Sequence, residues 1–219
     1  QGLNAVLEAR SNGRPVYGET LHNYCCFGSE NYKEENGMKY HTYPSLKSEA
    51  DRQSLWDGIV NNGLSTMATD EYCTSWETKI SGRSVADVTG GHNGAEARMG
   101  VTYSEGVSRR GMSLQRFVDV SSANAAKIMG LYPRKGVLAP GSDADITLID
   151  TNFKRKLTID DFHISDYSIW EGFEADGWPV TTLLRGNVVV DNREFKSTLG
   201  SGKFIPRKVD SAVTNRPVA

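Results

Sequence analysis

The 219-residue chain lacks most of the features that would sort it at a glance. Cysteine is scarce: Cys25, Cys26 and Cys73 are the only three. The count is odd and two of them are adjacent, which argues against a disulfide framework and for a reducing, cytoplasmic setting. No Cys-x-x-Cys pair occurs, so a cysteine-built zinc site is not expected. No apolar run reaches the ~18 residues that a membrane helix needs, and no signal-peptide pattern opens the chain. Neither sign of charge is in excess, with 25 Lys and Arg against 27 Asp and Glu and a net charge of −2. That balance gives no reason to expect nucleic acid or an anionic membrane as a partner. The four histidines, His22, His41, His92 and His163, are scattered. None forms an i,i+2 or i,i+4 pair that would put two imidazoles on one face around one ion. No repeat at a fixed period is present.

What remains is a patterned α/β chain. Leu3, Val6, Leu7 and Ala9 predict a helix over Leu3–Arg10, stopped by Gly13. Pro15-Val16-Tyr17 then predicts a short buried strand ending at Gly18-Glu19-Thr20. Residues 21–47 are polar and aperiodic, and a loop that long inside a compact domain is usually functional. Ser48 with Asp51 three residues on predicts a capped helix. Its apolar stripe is Leu55, Trp56, Ile59 and Val60, and Asn61-Asn62-Gly63 ends it. Leu64–Thr69 predicts a strand, with Asp70 just past it. A second long loop follows over residues 71–93. Helices are expected over Ala95–Arg109, Leu114–Val120 and Ala123–Met129, the last two capped by Ser113 and Ser122 and the last closed by Gly130. The alternation of helix and strand is the grammar of a β/α barrel or a doubly wound sheet.

From about Gly136 the pattern turns to β. Val137-Leu138, Ile146–Ile149 and Val188–Val190 are strand-like, with Gly141, Gly177, Gly186 and Asp191-Asn192 read as turns. Three parts are expected: residues 1–135, residues 136–208 with an irregular insert around 158–176, and a flexible tail over 209–219. Asp143 and Asp145 are paired acids, but they sit at a turn entering a strand and are read as turn formers without a catalytic role. His22 lies just past a strand and His92 in a glycine-rich loop; for both a packing or loop role is preferred to ligation. Asp70, at the C-terminal end of a strand, is a candidate catalytic carboxylate, since in barrel enzymes that end of the strands is the catalytic face. A lone carboxylate there is more often a cap or turn former.

Longer motifs carry a resemblance. Met67-Ala68-Thr69-Asp70-Glu71-Tyr72-Cys73 resembles the strand-8 motif of the amidohydrolase superfamily. Ser121–Gly136 and Pro140-Gly141-Ser142-Asp143-Ala144-Asp145-Ile146 resemble the segment in which such chains leave the barrel for a β-sandwich. Tyr167–Gly172 and Leu184–Val190 resemble the later sandwich segments, and the combination with Gly18-Glu19-Thr20, Pro44-Ser45-Leu46-Lys47 and Asn93-Gly94-Ala95-Glu96-Ala97-Arg98 narrows the match to the branch of D-hydantoinases and dihydropyrimidinases. The resemblance covers nearly the whole chain, the tail excepted.

The resemblance implies the C-terminal part of a TIM-like (β/α)8 metal-dependent barrel followed by strands of a small β-sandwich. It implies hydrolysis of the cyclic amide of hydantoins or dihydropyrimidines to N-carbamoyl amino acids. Two bridged divalent metal ions, usually zinc, would serve that reaction. Of the family's ligands, a His-x-His pair, a carboxylated lysine, two more histidines and one aspartate, only the aspartate matches a residue here, Asp70. The others would lie upstream of Gln1. Substrate would be oriented by backbone groups near Tyr43, where the family often has serine, and at Asn93. The implied partners are a small cyclic amide and further copies of the chain in a tetramer. A non-catalytic, dihydropyrimidinase-like scaffold is the competing reading. The chain starts with Gln1 rather than Met, and a complete barrel alone takes about 250 residues. A fragment that is inactive by itself is therefore expected.

Overall fold

The computed structural model describes residues 1–84, 86–163, 165–198 and 200–217. Helix α1 (Gly2–Ser11) leads into a short extended segment and strand β1 (Glu19–Leu21). Asn12 and Gly13, the latter at φ 73°, end α1 as expected. The strand starts later than Pro15. Proline carries no amide hydrogen, and the partner strand first meets the chain at Gly18, whose carbonyl accepts from the amides of Ser65 and Thr66.

Residues 21–47 are not structureless. Helix α2 (His22–Cys26) follows β1 directly, and two 3-10 turns, Ser29–Lys33 and Gly37–Tyr40, come after it. Elements of four or five residues are too short to print a period on the sequence. Helix α3 (Glu49–Val60) has the anticipated capping box: Asp51 N donates to Ser48 Oγ and Ser48 N to Asp51 Oδ2, both at 3.3 Å. Trp56 and Ile59 are its buried face, with Trp56 Nε1 donating to Cys25 O at 2.7 Å. Asn62, left-handed at φ 64°, turns the chain into strand β2 (Thr66–Ala68). β1 and β2 pair in parallel, with Glu19 opposite Thr66 and Leu21 opposite Ala68. The β–α–β order of a barrel segment is thus realised.

The loop after β2 holds one short helix, α4 (Trp76–Lys79). Helix α5 (Arg98–Thr102) widens into π turns over Tyr103–Arg109. Helices α6 (Leu114–Val118) and α7 (Asn124–Ile128) are joined by a π turn, Asp119–Ala123, so the expected break is missing. Ser113 does cap α6, accepting from Arg116 N at 3.1 Å. Ser122 caps nothing. It lies inside one continuous helix whose buried face is Phe117, Val120, Ala123 and Ala126. Arg98 donates to the Ser121 carbonyl within the widened turn at 3.2 Å, which supports a carbonyl there.

The C-terminal part is a four-stranded antiparallel sheet, β3 (Ile146–Lys156), β4 (Glu174–Leu184), β5 (Asn187–Asp191) and β6 (Glu194–Phe195), in that spatial order. Arg185-Gly186 and Asn192-Arg193, all at positive φ, form its tight hairpin turns. Gly177 is not a turn residue. It sits inside β4 at φ 86°, and a side chain there would strike the ring of Tyr103. Reciprocally, the Trp178 indole lies on Gly100 of α5. These two contacts seat the helix on the sheet.

The main apolar core crosses residue 135. Tyr40, Leu46, Ala97 and Val101 pack with Leu157, Ile169, Trp170 and Trp178. The tail also touches the fold. Helix α8 (Ser211–Asn215) buries Val213, and Tyr17 Oη donates to the carbonyls of Val213 (2.8 Å) and Arg216 (2.9 Å). The tyrosine contacts are to backbone carbonyls, which a polar composition does not reveal. Among the described residues no helix is long and apolar enough to cross a membrane.

Candidate active site

The chain turns sharply as it leaves β2. Asp70 has φ 47°, a left-handed conformation that aspartate tolerates better than most residues, and it is exposed two residues past the strand end. It lines a cleft of about 340 Å³ together with Thr42, Tyr43, Tyr72, Thr89, Gly90 and Gly91.

Three segments build the cleft. The first carries Tyr43, 54% exposed, whose hydroxyl donates to Val88 O at 3.2 Å. Its ring meets the edge of His41 at 4.8 Å. The second is the Asp70–Tyr72 turn. The third is the diglycine Gly90-Gly91, where close approach demands the missing side chains. A Cβ on Gly90 would run into the Tyr43 ring, and one on Gly91 (φ 92°) would come within 2.7 Å of Tyr72 Cβ. The backbone of that loop is therefore what faces the cleft.

Glu71 fixes the loop from below. One carboxylate oxygen accepts from the amides of Gly94 and Ala95, each at 2.6 Å. These amides open the turn that leads into α5, where a negative charge is favoured.

Asp70 and Tyr43 are brought together, and Asn93 is not with them. Asn93 is 1% exposed. Its side-chain amide donates to Ser168 Oγ at 2.9 Å. Its carbonyl accepts from Trp170 Nε1 at 3.0 Å and lies 3.0 Å from His92 Nδ1. Asn93 ties the loop to the core, and the cleft-facing positions of the same loop are Thr89, Gly90 and Gly91. Sequence reasoning missed these, although the adjacent glycines were the available signal.

The histidines are packing residues or lie elsewhere. His22 is fully buried, stacked on Trp170 at 4.5 Å, with Nε2 3.1 Å from Gly94 O. Burial first, then the neighbouring His92 and Arg98, push its imidazole down to about 3. His92 is buried, and burial lowers its pKa too. His163 is on another face, where Glu96 accepts from its amide at 2.9 Å and pairs with Nδ1 at 2.5 Å. Asp143 and Asp145 serve their turn. Both pair with Lys135, and Asp145 Oδ1 accepts from Arg185 N at 2.8 Å.

Among the described residues no group of three or more His, Cys, Asp or Glu is placed to hold an ion. Asp70 has the exposure and the chemistry of one ligand. A catalytic zinc site takes three protein ligands, so this chain fits as a contributor to such a site and not as its whole.

Comparison with known proteins places the chain in a family. The family model described as the amidohydrolase family matches residues 22–189, and the chain belongs to that family. Its relatives are more particular. It is 37% identical over 211 residues to a D-phenylhydantoinase of Escherichia coli O1:K1, a match that takes in 94% of this chain and 46% of the relative. Among solved structures, the D-hydantoinase of Bacillus sp. AR9 superposes with a TM-score of 0.91 at 36% identity, covering 95% of this chain and 46% of that one. The D-hydantoinase (dihydropyrimidinase) from Thermus sp. gives 0.90 at 33%, covering 94% and 46%. The fold is the α/β one anticipated, part of a hydantoinase barrel followed by β-strands. The chain spans about half the length of the curated relatives it matches.

Proposed function

We propose that this chain supplies the Asp70 side of a cyclic-amide hydrolase that opens hydantoins or dihydropyrimidines to N-carbamoyl amino acids. The observation that carries the reading is the exposed Asp70 carboxylate at the end of β2, in a cleft walled by Tyr43 and by the backbone of Gly90-Gly91. Kinship with proteins named as hydantoinases supports it.

The reaction adds water across the ring C–N bond. Oxygen bonds to the carbonyl carbon, the C–N bond breaks, and one proton must reach the nitrogen. Asp70 is the group in the cleft able to take a proton from the attacking oxygen and return it to the leaving nitrogen. A cyclic imide offers alternating C=O and N–H groups, which suit the backbone of the Thr89–Gly91 wall. Asn93 acts through that wall by holding its base. Tyr43 would flank the ring substituent.

Amidohydrolases are generally metal-dependent, and a pair of divalent ions, zinc by preference, would polarise the carbonyl and acidify the bound water. Asp70 would be this chain's ligand, and the remaining ligands would come from outside it. We expect the natural protein to assemble as a homo-tetramer in the cytoplasm. The 219 residues on their own are expected to be inactive.

The test is to purify the natural protein, measure its metal content, and assay ring opening of hydantoin and dihydrouracil, with the 219-residue chain alongside. Metal-bearing, active protein and an inactive shorter chain are the expected results. A folded, metal-free protein without activity would replace this reading with the scaffold one.

A further inference from the structure

The cleft has a buried cation behind it that the reaction does not use. Lys79, the last residue of α4, is 0% exposed. Its ammonium donates to His41 O at 2.6 Å and to Gly91 O at 2.5 Å. The Gly91 amide itself donates to His41 O at 3.1 Å. Lys79 Nζ thus bridges two strips of backbone. One runs into Thr42-Tyr43 and the other into Gly90-Gly91, and all four residues line the cleft.

Such an arrangement is costly. A lysine at the end of a four-residue helix could extend to solvent, and long cationic side chains normally do. Here no carboxylate compensates the charge among the described residues. Burial alone acts on its acidity, pulling its pKa down to about 8. An uncompensated buried ammonium is tolerated only where strong hydrogen bonds hold it, and charge-assisted bonds to carbonyls are about twice as strong as neutral ones. The two carbonyls it binds belong to the two segments that carry the facing cleft residues, Thr42-Tyr43 and Gly90-Gly91.

We propose that Lys79 is a positioning residue for a cyclic-amide substrate: through the His41 and Gly91 carbonyls it locks the Thr42-Tyr43 and Gly90-Gly91 walls at the spacing that the ring requires. The proposal rests on the reading of the cleft as a cyclic-amide site. Lys79 touches no substrate and no reacting atom. Groups near it are His41 and His92, both held below the ordinary imidazole value first by burial and so neutral above pH 7. On the adjoining turn, Lys39 lies over the Tyr40 ring at 4.9 Å, and burial raises the Tyr40 hydroxyl.

The test uses the natural protein, with Lys79→Met and Lys79→Arg. Loosened walls weaken ground-state and transition-state binding alike, so Lys79→Met should raise KM about tenfold and change kcat less than about threefold. Amide exchange at Gly91 should accelerate about tenfold or more, with α3 unchanged, because the local opening is uncoupled from the rest. Lys79→Arg should recover part of both effects. Unchanged exchange at Gly91, or a fall in kcat at constant KM, overturns the proposal. Should the protein open no cyclic amide at all, the functional reading fails and exchange at Gly91 alone decides whether Lys79 ties the walls. Should neither variant fold, wild-type exchange at pH 6 and pH 9.5, referenced to α3, decides instead. Protection at Gly91 must drop when the ammonium is neutralised, and equal protection contradicts the tie.

Discussion

Glu71 and Gly94 are joined by a hydrogen bond of 2.6 Å from the glycine amide to the carboxylate, and the same oxygen also takes the Ala95 amide. The residue next to Asp70 therefore anchors the loop whose backbone forms the opposite cleft wall. Turn and loop form one unit, so the placement of Asp70 and the placement of Gly90-Gly91 are coupled.

Glu71→Ala removes the acceptor of two amides at once. Hydrogen bonds to a charged group contribute about 1.5–3 kcal/mol each net of solvent when buried, and the partial exposure of Glu71 lowers that. A loss of about 2 kcal/mol is expected in urea unfolding of the natural protein. Activity should fall further than stability explains, because the loop carries the cleft wall. Glu71→Gln keeps one acceptor oxygen and should lose less.

Gly100 and Gly177 seat α5 on the sheet. Gly100→Ala pushes a methyl into the Trp178 indole, and overpacking of this kind costs about 1–3 kcal/mol. Gly177→Ala meets Tyr103 and must also hold a side chain at φ 86°, which adds about 1 kcal/mol or more. Denaturant midpoints should fall in that order, Gly177→Ala lower than Gly100→Ala. Equal, near-wild-type midpoints would show that the helix and sheet part more easily than their contacts indicate.

His22 makes the fold sensitive to acid. Its imidazole is held at about 3 in the folded chain, against an ordinary value of 6.5. The unfolded chain therefore takes up a proton first as pH falls. Stability from this group is complete above about pH 6.5 and is lost progressively down to about pH 3. Denaturant midpoints measured from pH 7 to pH 4 should decline, and in His22→Gln the decline should be shallower even though the starting stability is lower. An identical slope in the variant would assign the acid sensitivity to other groups.

Much of this fold was legible in the sequence because its signals are local. Ser48 and Asp51 are three residues apart, and the cap they form needs nothing else. The β-type run ending before Asp70 put the carboxylate at a strand end, and the structure has it there. What was not legible depends on distant partners. Asn93 stands in the sequence as a position that orients substrate, yet its amide and carbonyl are engaged by Ser168 and Trp170, 75 and 77 residues away. Gly177 looks like a turn because nothing nearby says that Tyr103 packs on it. Ser122 looks like a cap because the sequence does not show a π turn carrying one helix through it. Lys79 falls in the long loop over residues 71–93 with no signal of its own, and only the folded chain shows it buried against the Gly91 carbonyl.

The most direct test of the central claim is the rate of hydantoin ring opening by the natural protein with Asp70→Ala, measured as N-carbamoyl product beside wild type. A fall of at least about 10³-fold, with the variant still folded, is what a proton-carrying ligand predicts, since positioned acid–base groups alone contribute about 10²–10⁴-fold. Retention of ring opening within about tenfold of wild type would contradict the account and leave Asp70 as a turn residue at the end of β2.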